Sequence, residues 1–500
     1  MDLYKSYKPF RNFMREFDLL SSLVDIWVYS SHIIDKERLP EGYPSGYNSF
    51  LHGQIERHIY PWDLDILSRE IILNAGVVGN RRLQIWDNLA TAINFIRDMD
   101  NKSYSEDGDD RPDVLFELHR IAHRQFPWQV RNDLGGFVRA LNIFGEPTVD
   151  RIVERELGLS TQRYLLLGMA IAGHFKNKWG MSTEQDYREI GVSLDASRAF
   201  FTRLVSPISR LREEMRKRQA YNRDWMYTWN PLEGTPLVAF DPRYPERIVC
   251  PIQRYLLRRV STGLFYDLVK ASDFDNSFGN AFQAYIGLVA RQFCKEPSFR
   301  LLDPPPYRIG SRKMHGVDWI LSDGAGHLFI ECKAKRLTLN ARTLSEPSAL
   351  ERDLSIMADG IVQNYKNIMD ARNGLTVWEA DSLPIYPLIL TLEDWFIFSP
   401  RVREMLDAQI YDLLDAEGIP VEVLDTMPYT VASAHEFEIV VQLISQVGVG
   451  SLMGKKVMGA KNSWSMLPYL MDEFKAEMPK VNRRFQLNEF RRIVRDVPGI

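Results

Sequence analysis

The chain has 500 residues with 45% hydrophobic and 12% aromatic side chains, which excludes a disordered polymer and leaves room for two or three cored domains. Its 62 Lys and Arg against 66 Asp and Glu give a net charge of −4, so a polyanionic partner must be met by local basic patches and not by the charge of the whole. Cys250, Cys294 and Cys332 are scattered without metal-ligand spacing, and neither an apolar N-terminal signal region nor an apolar run of membrane-spanning length is present, which argues for the cytoplasm and against a disulfide frame, a zinc site or a membrane partner.

From Leu19 to about Gln219 the apolar residues recur at helical spacing, as in Leu67 to Phe95, Val114 to Gln125 and Tyr164 to Phe175, so residues 1–225 are expected to form an all-helical domain. The polar break Asn101 to Asp113, centred on Glu106-Asp-Gly-Asp-Asp110, lacks the ligand order of a calcium loop and reads as a solvated loop. His119 and His123 lie four apart with no third ligand in view and read as polar-face residues. Glu156-Leu-Gly-Leu-Ser160 and Glu189-Ile-Gly-Val-Ser193 each precede a fresh helix, a corner similar to the turn of helix-turn-helix units. The helix Gln162 to Ala172 after the first corner carries only Arg163 as a basic residue, which favours a plain bundle corner. Residues 226–255, with Pro231, Pro236, Pro242 and Pro245, are expected to link domains and hold small β elements.

The segment 256–450 changes character. Asn276 to Ala290 has the spacing of an amphipathic helix, and Val317 to Leu321, a turn over Ser322-Asp-Gly-Ala-Gly326, and His327 to Lys333 read as a β-hairpin. Alternation along the second strand puts Phe329, Glu331 and Lys333 on one face, and the first strand can bring Asp318 beside them. Two converging carboxylates suit a hard cation such as Mg²⁺, and a lysine next to them can orient a water or offset charge on a phosphate. Glu351 to Ala371 then reads as a helix, Ile385 to Leu392 and Tyr429 to Ala432 as strands, and the capping box Ser433-Ala-His-Glu436 opens a helix over Phe437 to Val447. Glu393 and Asp394 read as surface or loop residues.

At Asp318 and Glu331-Cys-Lys333 the chain resembles the PD-(D/E)xK, or restriction-endonuclease-like, nuclease superfamily, with Val317 where that family has proline. The resemblance implies an α+β/α/β architecture, in which the helical domain precedes a core of a central mixed sheet flanked by helices. It implies metal binding by Asp318, Glu331 and the carbonyl of Cys332, with Lys333 serving the attacking water. It places Gln283 where family members often carry a helix glutamate, which removes one charge, and it puts Gln363 and Tyr365 at the site edge. Glu473-Phe-Lys475 also matches E-x-K but sits in a helical pattern.

Basic clusters at Arg210 to Arg218, at Arg254, Arg258 and Arg259, at Lys455, Lys456 and Lys461, and in the tail Arg483, Arg484, Arg491, Arg492 and Arg495 supply local positive charge. Lys455, Lys456 and Lys461 accompany the Gly-rich stretch Gly448 to Gly459, where backbone N–H groups could approach phosphate, and residues 451–500 are expected to form a basic helical extension. No GxxxxGK[ST] motif occurs, so an ATPase or helicase would be a separate partner, and a homo-oligomer is the other partner consistent with the sequence. The expected function is a Mg²⁺- or Mn²⁺-dependent endonuclease acting on nucleic acid, DNA before RNA, with large helical accessory domains similar to those of anti-phage or anti-plasmid defence effectors. The alternatives are a catalytically silent nuclease fold that binds nucleic acid or assembles with partners, and a helix-turn-helix regulator.

Overall fold

The computed structural model describes residues 3–104, 114–129, 133–482 and 484–494. The acidic stretch Glu106 to Asp110, together with Arg483 and Arg495, lies outside the described residues. The protein is a mixed α/β chain that divides into two compact units, residues 1–112, 124–272 and 490–500 in the first and 113–123 and 273–489 in the second. This differs from the expected division. The segment 226–272 belongs to the first unit because the helix Gln253–Val260 packs on the helix Thr161–Asn177, so closely that a Cβ on Gly168 would come within 2.8 Å of Val260. The expected C-terminal extension falls mainly in the second unit, where the helix Met466–Glu473 offers its Leu467 amide to Glu436 at 2.8 Å.

The first unit is helical around an aromatic core in which Tyr7, Phe10, Ile71 and Trp225 are buried. A buried Arg69–Glu70 pair at 3.1 Å runs through it, and Glu70 also accepts from Tyr7 at 2.7 Å and Gln219 at 3.1 Å, so the buried carboxylate is hydrogen-bonded as well as paired. The unit is not all-helical. The β elements expected in 226–255 appear as Leu237–Ala239 and Arg247–Val249, and they join Gly180–Ser182 and Val205–Pro207 in a four-stranded sheet; the last two lie in the segment expected to be all-helical and are too short for a period of two to stand out in the sequence. The periodic run Leu67 to Phe95 is likewise two helices, Pro61–Asn74 and Trp86–Tyr104. Between them Gly79 lies on the backbone of Phe17, where an added Cβ would come within 2.2 Å. At the first Leu-Gly-x-Ser corner Gly158 ends one helix at φ +75°, and the next helix buries Tyr164, Leu165, Leu166 and Leu167 while Gln162, Arg163, Ala170, Gly173 and Lys176 stay exposed, a face that carries only Arg163 and Lys176 as cations.

In the second unit the elements run α1 (Phe274–Phe293), β1 (Arg300–Leu302), β2 (Tyr307–Ile309), β3 (Arg312–Met314), β4 (Trp319–Asp323), β5 (Gly326–Lys333), α2 (Pro347–Arg372), β6 (Ile385–Thr391), α3 (Pro400–Ala416), β7 (Thr430–Ser433), α4 (Ala434–Val447) and α5 (Val449–Lys456). Five strands form one mixed sheet in the order β7-β6-β5-β4-β1. β6 is parallel to β5 and β7, while β4 is antiparallel to β5 and β1. β6 is buried along its whole length, as its nearly all-apolar sequence requires. Ile320, Phe329, Ile385 and Ile389 share a hydrophobic core with α2 and α3, so α2 and α3 cover that face of the sheet. The residues 114–123 contribute to this unit as well. His119 is fully buried, its Nε2 lies 3.2 Å from the Ala341 carbonyl, and its ring is 4.5 Å from that of His123. His119 is therefore a core residue and not a polar-face residue, and His123 is half-buried against Phe396, because the helix is covered on the side that its sequence leaves polar. Among the described residues no helix is long and apolar enough to cross a membrane.

Candidate functional site

β4 pairs with β5 in the register Trp319↔Ile330, so the next step toward the open end of the hairpin sets Asp318 opposite Glu331. The Asp318 carboxylate takes over the ladder there: its Oδ2 accepts from the backbone N–H of Cys332 at 2.6 Å. Side chains alternate, so Asp318 shares the face of Ile320, and Glu331 and Lys333 share the face of Phe329, which is the face covered by α2. Lys333 Nζ donates to Glu331 Oε1 at 2.9 Å and to Gln363 Oε1, on α2, at 3.1 Å. Glu331 is 4% exposed and its Oε2 has no hydrogen-bond partner.

The electrostatics follow from that burial. Loss of water raises the Glu331 carboxyl to about 7, with the neighbouring Asp318 adding to the rise and Lys333 opposing it. Asp318 is raised too, first by burial, against the pull of the Cys332 amide and Lys333. The Cys332 thiol is pushed far above its ordinary value by burial and by both carboxylates, which keeps it protonated and leaves a set of hard oxygen donors. A buried oxygen without a hydrogen-bond partner, beside a second carboxylate, is a place where a divalent cation would relieve the repulsion that Lys333 offsets only in part. Among the described residues no group of three or more His, Cys, Asp and Glu gathers around a metal position, so a cation here would take its remaining oxygens from backbone, water or substrate.

Helix α2 organises this end of the hairpin through one stripe. Gly360, Gln363, Asn364 and Asn367 stand three, four and seven positions along, on one side of the helix. Gly360 leaves room for the Lys333 stem, Gln363 receives its ammonium, and Asn364 donates to the Phe329 carbonyl at 3.1 Å. The Asn367 amide, with its nitrogen toward His315 O at 3.0 Å and its oxygen toward Val317 N at 3.2 Å, fixes the approach to Asp318. Sequence reasoning passed over Gly360, Asn364 and Asn367, although a glycine inside an apolar helix is a signal of close approach.

The other expected site residues fall out differently. Tyr365 is not at the site edge: it is buried, and its hydroxyl donates to the Met427 carbonyl at 2.7 Å, because position 365 points into the core shared with α3. Gln283, on α1, donates to the backbone carbonyl of Asp318 at a long 3.5 Å and does not touch the carboxylates, while its own carbonyl accepts from Trp319 Nε1 at 2.9 Å. Glu393 accepts from Arg342 at 3.0 Å and lies 3.5 Å from Arg336. Glu473-Phe-Lys475 lies at the end of a helix, as its pattern requires. At the turn end of the hairpin Ser322, His327 and Asp381 form a hydrogen-bonded chain of 2.7 and 2.9 Å, which ties Asp381 to the sheet.

The expected phosphate-binding loop is instead helix α5, and Asp323 Oδ2 already accepts the Val449 N–H at its start at 2.7 Å. Lys455 pairs with Glu473 at 2.8 Å and Lys461 pairs with the same carboxylate. Lys456 is buried, donates to the Lys461 and Asn462 carbonyls at 2.8 and 2.9 Å, and is lowered to about 8 by burial. These lysines therefore present no open cationic patch. In the first unit Arg212 donates to the Ile72 carbonyl, Arg254 to Trp128, Arg258 to Pro127, and Arg259 grips Asp267 through two bonds of 2.7 and 2.8 Å, whereas Arg210, Arg216, Lys217 and Arg218 stay exposed.

No family model, no curated protein and no solved structure matches this chain.

Proposed function

We propose that the second unit is a restriction-endonuclease-like core and that the protein is a metal-dependent nuclease hydrolysing phosphodiester bonds of nucleic acid. The observation that carries this reading is the Asp318–Glu331–Lys333 end of the β4–β5 hairpin, with a buried, unpartnered Glu331 Oε2. The order helix, antiparallel strands, helix, strand parallel to the last, strand and helix supports the same reading. Asp318 and Glu331 would hold Mg²⁺ or Mn²⁺, which when bound supplies Lewis-acid polarisation of a phosphoryl oxygen and a more acidic water. An ammonium has three donors, and Glu331 and Gln363 engage two on Lys333, leaving the third for the attacking water or a phosphate oxygen. What supports DNA is the family resemblance at Asp318 and Glu331-Cys-Lys333, and what supports a role in defence is the similarity of a large helical accessory domain to those of defence effectors.

The test is incubation of the purified full chain with labelled DNA and RNA in Mg²⁺, Mn²⁺ or EDTA, beside Asp318→Asn and Glu331→Gln. Metal-dependent cleavage lost in both variants is the expected result, and cleavage that survives either variant overturns the assignment. A second reading, a silent fold that binds nucleic acid without cutting it, is favoured by the gathering of only two carboxylates. It predicts binding without cleavage in every metal.

A further inference from the structure

Between β1 and the site strand β4 the chain makes a small separate hairpin, β2 paired antiparallel with β3 in the register Tyr307↔Met314, Arg308↔Lys313, Ile309↔Arg312, turning over Gly310, at φ +60°, and Ser311. Every residue from Arg308 to Lys313 is exposed. Arg308 and Lys313 stand directly opposite each other, an arrangement of like charges that destabilises a two-stranded ribbon unless an anion lies between or beside them. Arg312, paired with Ile309 one step nearer the turn, adds a third cation on the other face of the ribbon. Among the described residues none of the three pairs with a carboxylate, in contrast to Arg259, Lys455 and Lys461, which do.

The root of this ribbon is held firmly, and it is held to the site. Pro304-Pro305-Pro306 leads in as a stiff segment, and Pro304 lies 3.4 Å from where a Cβ on Gly316 would stand. Tyr307 is buried and its hydroxyl donates to Asp370 of α2 at 2.5 Å. Asn367, one turn earlier on α2, holds His315 and Val317, the residues between the ribbon and Asp318. The helix that seats Lys333 thus also anchors the cationic ribbon, four residues before the first carboxylate.

We propose that the β2–β3 ribbon is a docking element for double-stranded DNA, its three cations set against phosphates so that the duplex backbone lies at Asp318 and Glu331. This deepens the nuclease reading and rests on it for the purpose of the docking, but not for the docking itself. The duplex is chosen by size and charge: a two-stranded β-ribbon enters the wide major groove of B-form DNA, whereas the major groove of A-form RNA is too narrow. Ile309, 42% exposed at the tip, gives the ribbon an apolar contact for a base edge.

The test uses the full chain with Arg308, Arg312 and Lys313 all changed to Ala, and a charge-keeping control with Arg308→Lys and Arg312→Lys. Binding of a labelled duplex DNA is measured in EDTA by anisotropy across a salt series, so the result is independent of whether Asp318 and Glu331 cleave. Three phosphate contacts carry a slope in log affinity against log salt of roughly 0.9 each, so the triple variant should lose roughly 2 to 3 from that slope and more than about tenfold in affinity near 0.1 M salt. The lysine control should keep the slope, and a melting curve on each variant shows that the unit is folded. Wild-type affinity and slope in the triple variant overturn the proposal, as does a wild-type chain that fails to bind duplex DNA at low salt. An equal loss on duplex RNA overturns the choice of the DNA groove. Failure of cleavage with binding intact would sink the nuclease reading and leave the ribbon standing.

Discussion

Lys333 lies across Gly360: a Cβ at position 360 would stand 2.5 Å from Lys333 Cε and 3.3 Å from its Cγ. Gly360→Ala therefore forces the lysine stem to swing away from Glu331 and Gln363, while a helix interior that exchanges Gly for Ala gains about 1 kcal/mol in propensity. Cleavage should fall by at least about tenfold with an unchanged or higher melting temperature. Lys333→Ala should match that loss while metal binding is largely kept. Full activity in Gly360→Ala would show that the position of the ammonium is immaterial.

Glu331 makes the metal-free protein sensitive to pH. A carboxyl raised from 4.5 to about 7 in the folded state takes up a proton on folding, so its contribution is fully present below pH 4.5 and is lost as pH rises through about 7. In EDTA, Glu331→Gln should be more stable than wild type at pH 8 by on the order of 2 kcal/mol, and the two should converge near pH 5. Urea unfolding at the two pH values measures this. A variant that is less stable than wild type at pH 8 would show the buried carboxylate to be compensated in a way that its unpartnered Oε2 does not reveal.

Gln283 donates toward a backbone carbonyl, so Gln283→Glu turns a donor into an acceptor facing another acceptor. The Mg²⁺ concentration for half-maximal cleavage should stay the same or rise. A clear fall would place position 283 among the metal ligands after all.

His119 is held down to about 4 by burial, against an ordinary value of 6.5. The unfolded chain takes up a proton that the folded chain refuses, so stability present above pH 6.5 is lost as pH falls toward 4. His119→Leu should flatten that acid slope by up to one proton, about 1.4 kcal/mol per pH unit, as read from chemical denaturation between pH 7 and 4.5. An unchanged slope would locate the acid sensitivity elsewhere.

Much of the second unit was legible because its signals are local. The alternation in 326–333 fixes a face, the apolar run at Ile385 fixes a strand covered on both sides, and Ser433 with Glu436 forms the capping box that the letters announce. The spacing of Asp318 and Glu331 about a two-residue turn fixes their pairing once the hairpin is granted. The parts missed are those that depend on what lies across a gap. Whether Lys456 meets phosphate or the carbonyls of Lys461 and Asn462, and whether Tyr365 faces the site or Met427, is decided by neighbours far along the chain. Composition cannot separate a paired cation from a free one: Lys455 and Lys461 share Glu473, while Arg308 and Lys313, with a plainer sequence context, remain exposed.

The placement of residues 113–123 in the second unit sets an order of events during synthesis. Phe116 packs against the core of that unit, and the Leu115 carbonyl accepts from Ser399, 284 residues later. At roughly 5–20 residues per second, the chain on the ribosome carries this apolar turn for roughly 15 to 60 s before its partners emerge. A fragment begun at residue 273 would be born without a piece of its own core, so inactivity in such a fragment would report a folding defect before it reported anything about Asp318 or Glu331.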